Sequence, residues 1–120
     1  MPSRDPGAEA RYLTEVLGGR LVFAIERFDT RVAMVELGDG SPHLLLAHHL
    51  EGERPILIYR VADIDAAIAR LDELGWEAEP KFEIPPGVCC AFRTEGGHRI
   101  GIYERTRDWV ENRLSGRLDF

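Results

Sequence analysis

Three of the chain's four histidines fall in one short stretch, HLLLAHH, residues 43–49. Histidine suits a general base or a metal ligand. A hard divalent site needs three or four His and carboxylate side chains converging from different directions, and three histidines along one strand cannot surround an ion. His49 is the candidate general base, with no carboxylate partner visible in the local sequence. Cys89 and Cys90 are adjacent. Neighbours on a strand point to opposite faces, so a bond between them would be strained. No CxxC or Cys/His pattern of a structural zinc site accompanies them. They read as small core hydrophobes, and their lack of partners points to a reduced, cytoplasmic setting. The glycine clusters GDGSP and EGG lie between strand-like runs and precede no helix, so they are turns rather than phosphate loops. Asp63, Asp65, Asp72 and Glu73 cap and solvate a helix, and no second carboxylate in a cleft makes a hydrolase dyad with them.

The elements that must position these residues repeat. RVADIDAAIARLDELGW predicts a helix capped by Asp63, with Ile64, Ala67, Ile68, Leu71 and Leu74 as its buried stripe and Gly75 closing it. Strand-like WEAEPKFE, VCCAFRT and HRIGIYE follow, separated by IPPG and EGG. The chain's start follows the same programme. Asp5 caps a helix with Pro6 at its first position, Tyr12, Leu13, Val16 and Leu17 form its stripe, and Gly18 ends it. RLVFAIER, RVAMVEL and HLLLAHH then read as strands. Helix and three strands therefore occur twice. PILIYRV, residues 55–61, is a further strand ahead of the second helix. Its counterpart ahead of Asp5 would fall on MPSR, so that strand is expected to be absent or truncated, through a start placed downstream, a true loss, or supply by another chain. A bare sheet edge needs cover. The tail TRDWVENRLSGRLDF predicts a short helix and an extended end, with Trp109 and Phe120 as anchors.

A length of 120 residues gives one domain with a modest core. The net charge of −6 disfavours nucleic acid as a partner. No apolar run approaches the roughly 20 residues of a membrane span, and no basic start leads into a signal peptide.

Two βαβββ modules in tandem, carried by YLTEVLGG, YRVADIDAAIARLDELGW and FRTEGGHRIGIYE, resemble the vicinal oxygen chelate superfamily, which includes glyoxalase I, bleomycin-resistance proteins and extradiol dioxygenases. FRTEGGHRIGIYE resembles that family's strand-turn-strand ending in I-E-L. The resemblance implies an α+β fold: a single glyoxalase/bleomycin-resistance-like domain over 1–120, with module one at 1–50, module two at 55–104 and a tail at 105–120. It also implies eight strands in two curled mixed sheets around a cavity, often with one divalent metal held by side chains of four strands. The family's first ligand position falls on the strand expected before Asp5. The others fall on Leu45, Ile56 and Gly101, none of which can bind a metal. A slip of one residue would turn every side chain to the other face.

Strand alternation sends Leu57, Tyr59 and Val61 toward the helices and Ile56, Ile58 and Arg60 toward the cavity. Ile100 and Ile102 go to the helices, and Arg99, Gly101 and Tyr103 face inward. Leu44, Leu46 and His48 are helix-side, and His43, Leu45, Ala47 and His49 inward. The inferred pocket has an apolar floor of Leu45, Ala47, Ile56 and Ile58, a polar set of His49, Arg60 and Tyr103, and Gly101 as a point of close approach. Arg60 has a surface alternative, pairing with Asp63 or Glu104. The resulting expectation is a metal-free, homodimeric binder of a small apolar or amphipathic molecule, for instance sequestering an antibiotic. The alternatives are a metal-dependent lyase, isomerase or dioxygenase with a supplied ligand set or an unorthodox one through His49 or His43, and a purely structural or regulatory interaction domain.

Overall fold

Both helix starts follow from the residue that precedes them. In a computed structural model, which describes residues 1–40 and 42–120 with Glu111 by its backbone alone, α1 spans Pro6–Glu15 and α2 spans Ile64–Glu73. The Ala8 amide donates to Asp5 Oδ1 at 3.0 Å and the Ala66 amide to Asp63 Oδ1 at 2.9 Å. Each aspartate thus satisfies one of the orphan donors of a first turn. The chain divides into two compact units, Met1–Arg54 with Asn112–Phe120, and Pro55–Glu111.

In the first unit, β1 (Arg20–Arg27), β2 (Thr30–Glu36) and β3 (His43–Ala47) form an antiparallel sheet in the order β1-β2-β3. Phe28 and Asp29 turn β1 into β2 with φ of 51° and 57°, the left-handed pair that a tight hairpin uses. The predicted turn GDGSP includes residue 41, outside the described residues. The strand expected before Asp5 survives as a stub. Pro2 bridges Ala47 in parallel, the Ser3 amide donates to the Ala47 carbonyl at 3.1 Å, and the Ala47 amide donates to the Met1 carbonyl at 2.9 Å. At the other border the tail lies parallel to β1. The Ala24 amide donates to the Arg117 carbonyl at 2.8 Å, and the Asp119 amide returns to the Ala24 carbonyl at 2.6 Å.

The core of this unit is Ala10, Leu13, Ala24, Ala33, Val35 and Leu46, with Leu21, Leu44 and Phe120 packed against it. The predicted stripe of α1 is corrected here. Tyr12, Val16 and Leu17 are exposed, and Pro6, Ala10 and Leu13 are buried. The helix ends at Glu15, and small residues on its inner face let it lie close to the sheet.

In the second unit, β4 (Leu57–Val61), β5 (Phe82–Ile84), β6 (Gly87–Arg93) and β7 (Arg99–Arg105) form a mixed sheet in the order β4-β7-β6-β5. The parallel pair β4–β7 is the full-length counterpart of the Pro2–Ala47 bridge. Ile64, Cys90, Phe92 and Ile102 make the core, with Val61, Ala67, Ile68, Leu71 and Trp76 against them. Trp76 meets Phe92 edge-on, with ring centroids 6.3 Å apart. Leu74, predicted for the stripe, is exposed because it lies beyond the last helical residue, at the cap. In α3 (Trp109–Leu114) Val110 is buried. Trp109 is 55% exposed and is not the predicted anchor, whereas Phe120 is one. The described residues thus hold seven strands and a stub rather than eight strands. None of their helices is long and apolar enough to cross a membrane.

Candidate functional site

The sheet faces away from the helices carry the candidate groups, and the cores define which faces these are. In the first unit Leu44 and Leu46 belong to the core beside α1, so His43, Leu45 and Ala47 point the other way. Cross-strand pairing then builds rows on the open face. Met34 joins Phe23 to Leu45, and Val32 joins Ile25 to Ala47. The first row is polar: Glu36 stands opposite both Arg20 and His43. His43 Nε2 lies 2.8 Å from Glu36 Oε1, and the Arg20 guanidinium pairs with Glu36 Oε2. Hydrogen bonds from His43 and then Arg20 hold the Glu36 carboxyl below its ordinary range.

Neither Arg20 nor Glu36 was singled out by the sequence. The register between Leu21 and Phe23 shifts through a bulge. That bulge puts Arg20 and Phe23 on one face although they are three positions apart, and alternation alone would separate them. Signals for it in RLVFAIER are lacking.

His49 is corrected in its placement. β3 ends at Ala47, and His48 and His49 form an exposed turn, so strand alternation does not carry to them. Ile56 likewise precedes β4. The remaining inferred residues stand on sheet faces. Leu45 is 37% exposed and Ala47 is buried.

In the second unit Cys90 and Ile102 join the core under α2, so Cys89, Ala91, Gly101 and Tyr103 share the opposite face. Ile58 stands beside Gly101 and Arg60 beside Tyr103. A Cβ on Gly101 would lie 3.2 Å from Ile58 Cγ1 and 3.8 Å from Cys89 Sγ. The close approach at Gly101 is therefore made by a neighbouring side chain. The surface partners proposed for Arg60 are engaged elsewhere: Asp63 caps Ala66, and Glu104 Oε2 accepts from the Ile64 amide at 3.0 Å. Burial raises both cysteine thiols above their ordinary value. The Cys90 thiol donates to the Glu79 carbonyl at 3.1 Å.

Two hollows lie apart from these faces. One of about 360 Å³ is lined by Arg4, Asp5, Pro6, Glu26, Asp29, Arg31 and His48, and one of about 420 Å³ by residues including Glu77, Glu79 and Arg93. Both are bordered by charges that pair with one another, Arg31 with Glu26 at 2.9 Å and Arg93 with Glu79 at 3.1 Å.

The chain matches no protein-family model and no curated protein. Solved structures do resemble it. Methylmalonyl-CoA epimerase from Mycobacterium tuberculosis superposes with a TM-score of 0.72 at 19% identity, over 91% of this chain and 86% of that one. The hypothetical protein BH1468 from Bacillus halodurans C-125 gives 0.69 at 14% identity, over 89% and 91%. A second methylmalonyl-CoA epimerase gives 0.66 at 16%, over 88% and 91%. The class is thus an α+β protein of tandem βαβββ modules with open sheets. The particular fold is the one these epimerase structures share, and it agrees with the tandem βαβββ fold that the sequence resemblance implied.

The divalent metal of that fold does not fit the residues present. At the matched positions Leu45 and Ile56 offer hydrocarbon and Gly101 offers no side chain, with Ile58 over it. Among the described residues no three His, Cys, Asp or Glu side chains gather closely enough to hold an ion.

Proposed function

We propose that the chain binds small apolar or amphipathic molecules on the open faces of its sheets, without a metal. The observation that carries this reading is the donor chemistry of the three matched positions: Leu45, Ile56 and Gly101 cannot coordinate an ion. On the first unit's sheet the same face offers Ile25, Val32, Met34 and Leu45, with Phe23 and Ala47 buried in the same rows. A largely apolar surface with a few aimed polar groups suits a small-molecule ligand. Sequestering such a molecule, an antibiotic for instance, requires shape and a few hydrogen bonds rather than bond breaking. A second copy of the chain completes the binding unit in this reading.

The test is metal analysis of purified, dialysed protein, with a melting screen against apolar and amphipathic compounds and light scattering for the assembly. The expected results are substoichiometric metal, stabilisation by compounds of this class and a dimer mass. Stoichiometric Mn, Fe, Ni or Zn surviving dialysis would overturn the metal-free reading in favour of an enzyme, and a monomer mass would overturn the dimer.

A further inference from the structure

Glu36 presents an acceptor-only group to the His43 ring. Both of its oxygens are used, Oε1 by His43 Nε2 at 2.8 Å and Oε2 by the Arg20 guanidinium. Glu36 is largely covered, with its side chain 14% exposed, whereas the His43 ring is 39% exposed. A carboxylate cannot donate, so the nitrogen that meets it must carry the hydrogen. In the neutral ring the other nitrogen, Nδ1, is then left with a lone pair. Among the described residues nothing pairs with Nδ1. His43 and Leu45 share the open face, so the His43 ring stands in the row that edges the apolar ones.

We propose that Glu36, held by Arg20, fixes the His43 ring as an acceptor at the edge of the apolar face, selecting apolar molecules that carry a hydroxyl or N–H donor. The inference rests on the binding reading above and adds the ligand's polar group to it. Glu36 is the positioning residue and His43 the contact. A hydrocarbon or ether of the same shape leaves the Nδ1 lone pair without a partner under the ligand, which costs affinity.

Two measurements test it. Long-range proton–nitrogen correlation spectra of ¹⁵N-histidine protein at neutral pH, with His43 assigned by its loss in His43→Phe, should show Nε2 protonated and Nδ1 bare. Glu36→Gln keeps the shape and removes the charge, and should populate the other tautomer. In titrations, 2-naphthol should bind roughly three- to tenfold more tightly than 2-methoxynaphthalene, and His43→Phe should remove that preference while still binding both. A protonated Nδ1 in the unsubstituted protein, or equal affinities for the two probes, overturns the inference and leaves the binding reading intact. Failure of both probes to bind overturns the two together.

Discussion

The side chain of Ile58 lies over Gly101, its Cγ1 3.2 Å from where a Cβ would stand. Gly101 sits at a position where the sequence resemblance implies a metal-binding carboxylate, and an aliphatic side chain of this chain lies over it. A β-carbon at this point requires Ile58 to yield by a few tenths of an ångström. Ile58 is 49% exposed and free to do so. Gly101→Ala should therefore change stability by less than about 1 kcal/mol, since relief of glycine's entropy cost offsets the crowding. In an Ile58→Ala background the same substitution should stabilise. Urea unfolding of the four proteins measures both.

Gly87 is the opposite case. A Cβ there would collide with the Glu104 backbone carbonyl across the β6–β7 pair. Backbone cannot swing aside as Ile58 can. Gly87→Ala should cost about 3 kcal/mol, whereas Gly38→Ala, with nothing within 4 Å, should be close to neutral. Shifts in the urea midpoint distinguish them.

Asp119 ties the tail to β1 and makes that attachment acid-sensitive. Hydrogen bonds from Arg117, then from the Glu26 amide, hold its carboxyl below the ordinary value of 3.8. A depressed carboxyl contributes stability above its unfolded value and loses it as pH falls through the folded one. The tail should stay docked from neutral pH down to about pH 4 and loosen below it. Hydrogen exchange at the Ala24 and Glu26 amides, which donate to the Arg117 carbonyl and Asp119 Oδ2, reads this directly. Asp119→Asn should loosen both amides already at neutral pH.

Cys89 and Cys90 are free and buried, with thiols raised by burial. The thiolate is the reactive form. A disulfide reagent at neutral pH should modify neither in the folded protein and both in denaturant. Rapid modification of either under native conditions would contradict the packing described.

What could be read from the sequence was local or periodic. Asp5 and Asp63 each bond an amide three residues on, and the alternation of HLLLA and LIYRV assigns the faces of Leu45, Ala47, Ile58 and Arg60. Non-local relations were not legible. The tail's pairing with β1 joins Ala24 to Arg117 and Asp119, and nothing in either segment announces the other. The bulge between Leu21 and Phe23 resets alternation, and it alone brings Arg20 into line with Glu36 and His43. The ends of β3 and the start of β4 left His49 and Ile56 outside the strands, since alternation states a face but not where a strand stops. The cover over Gly101 could not be anticipated either, because it depends on the parallel register of β4 and β7.

The first unit takes its outermost ribbon from residues 116–119, which hydrogen-bond to β1. During synthesis those residues leave the ribosome after everything in Pro55–Glu111. The first unit is therefore discontinuous in the chain, and its outer ribbon cannot pair with β1 until all of Pro55–Glu111 has been translated.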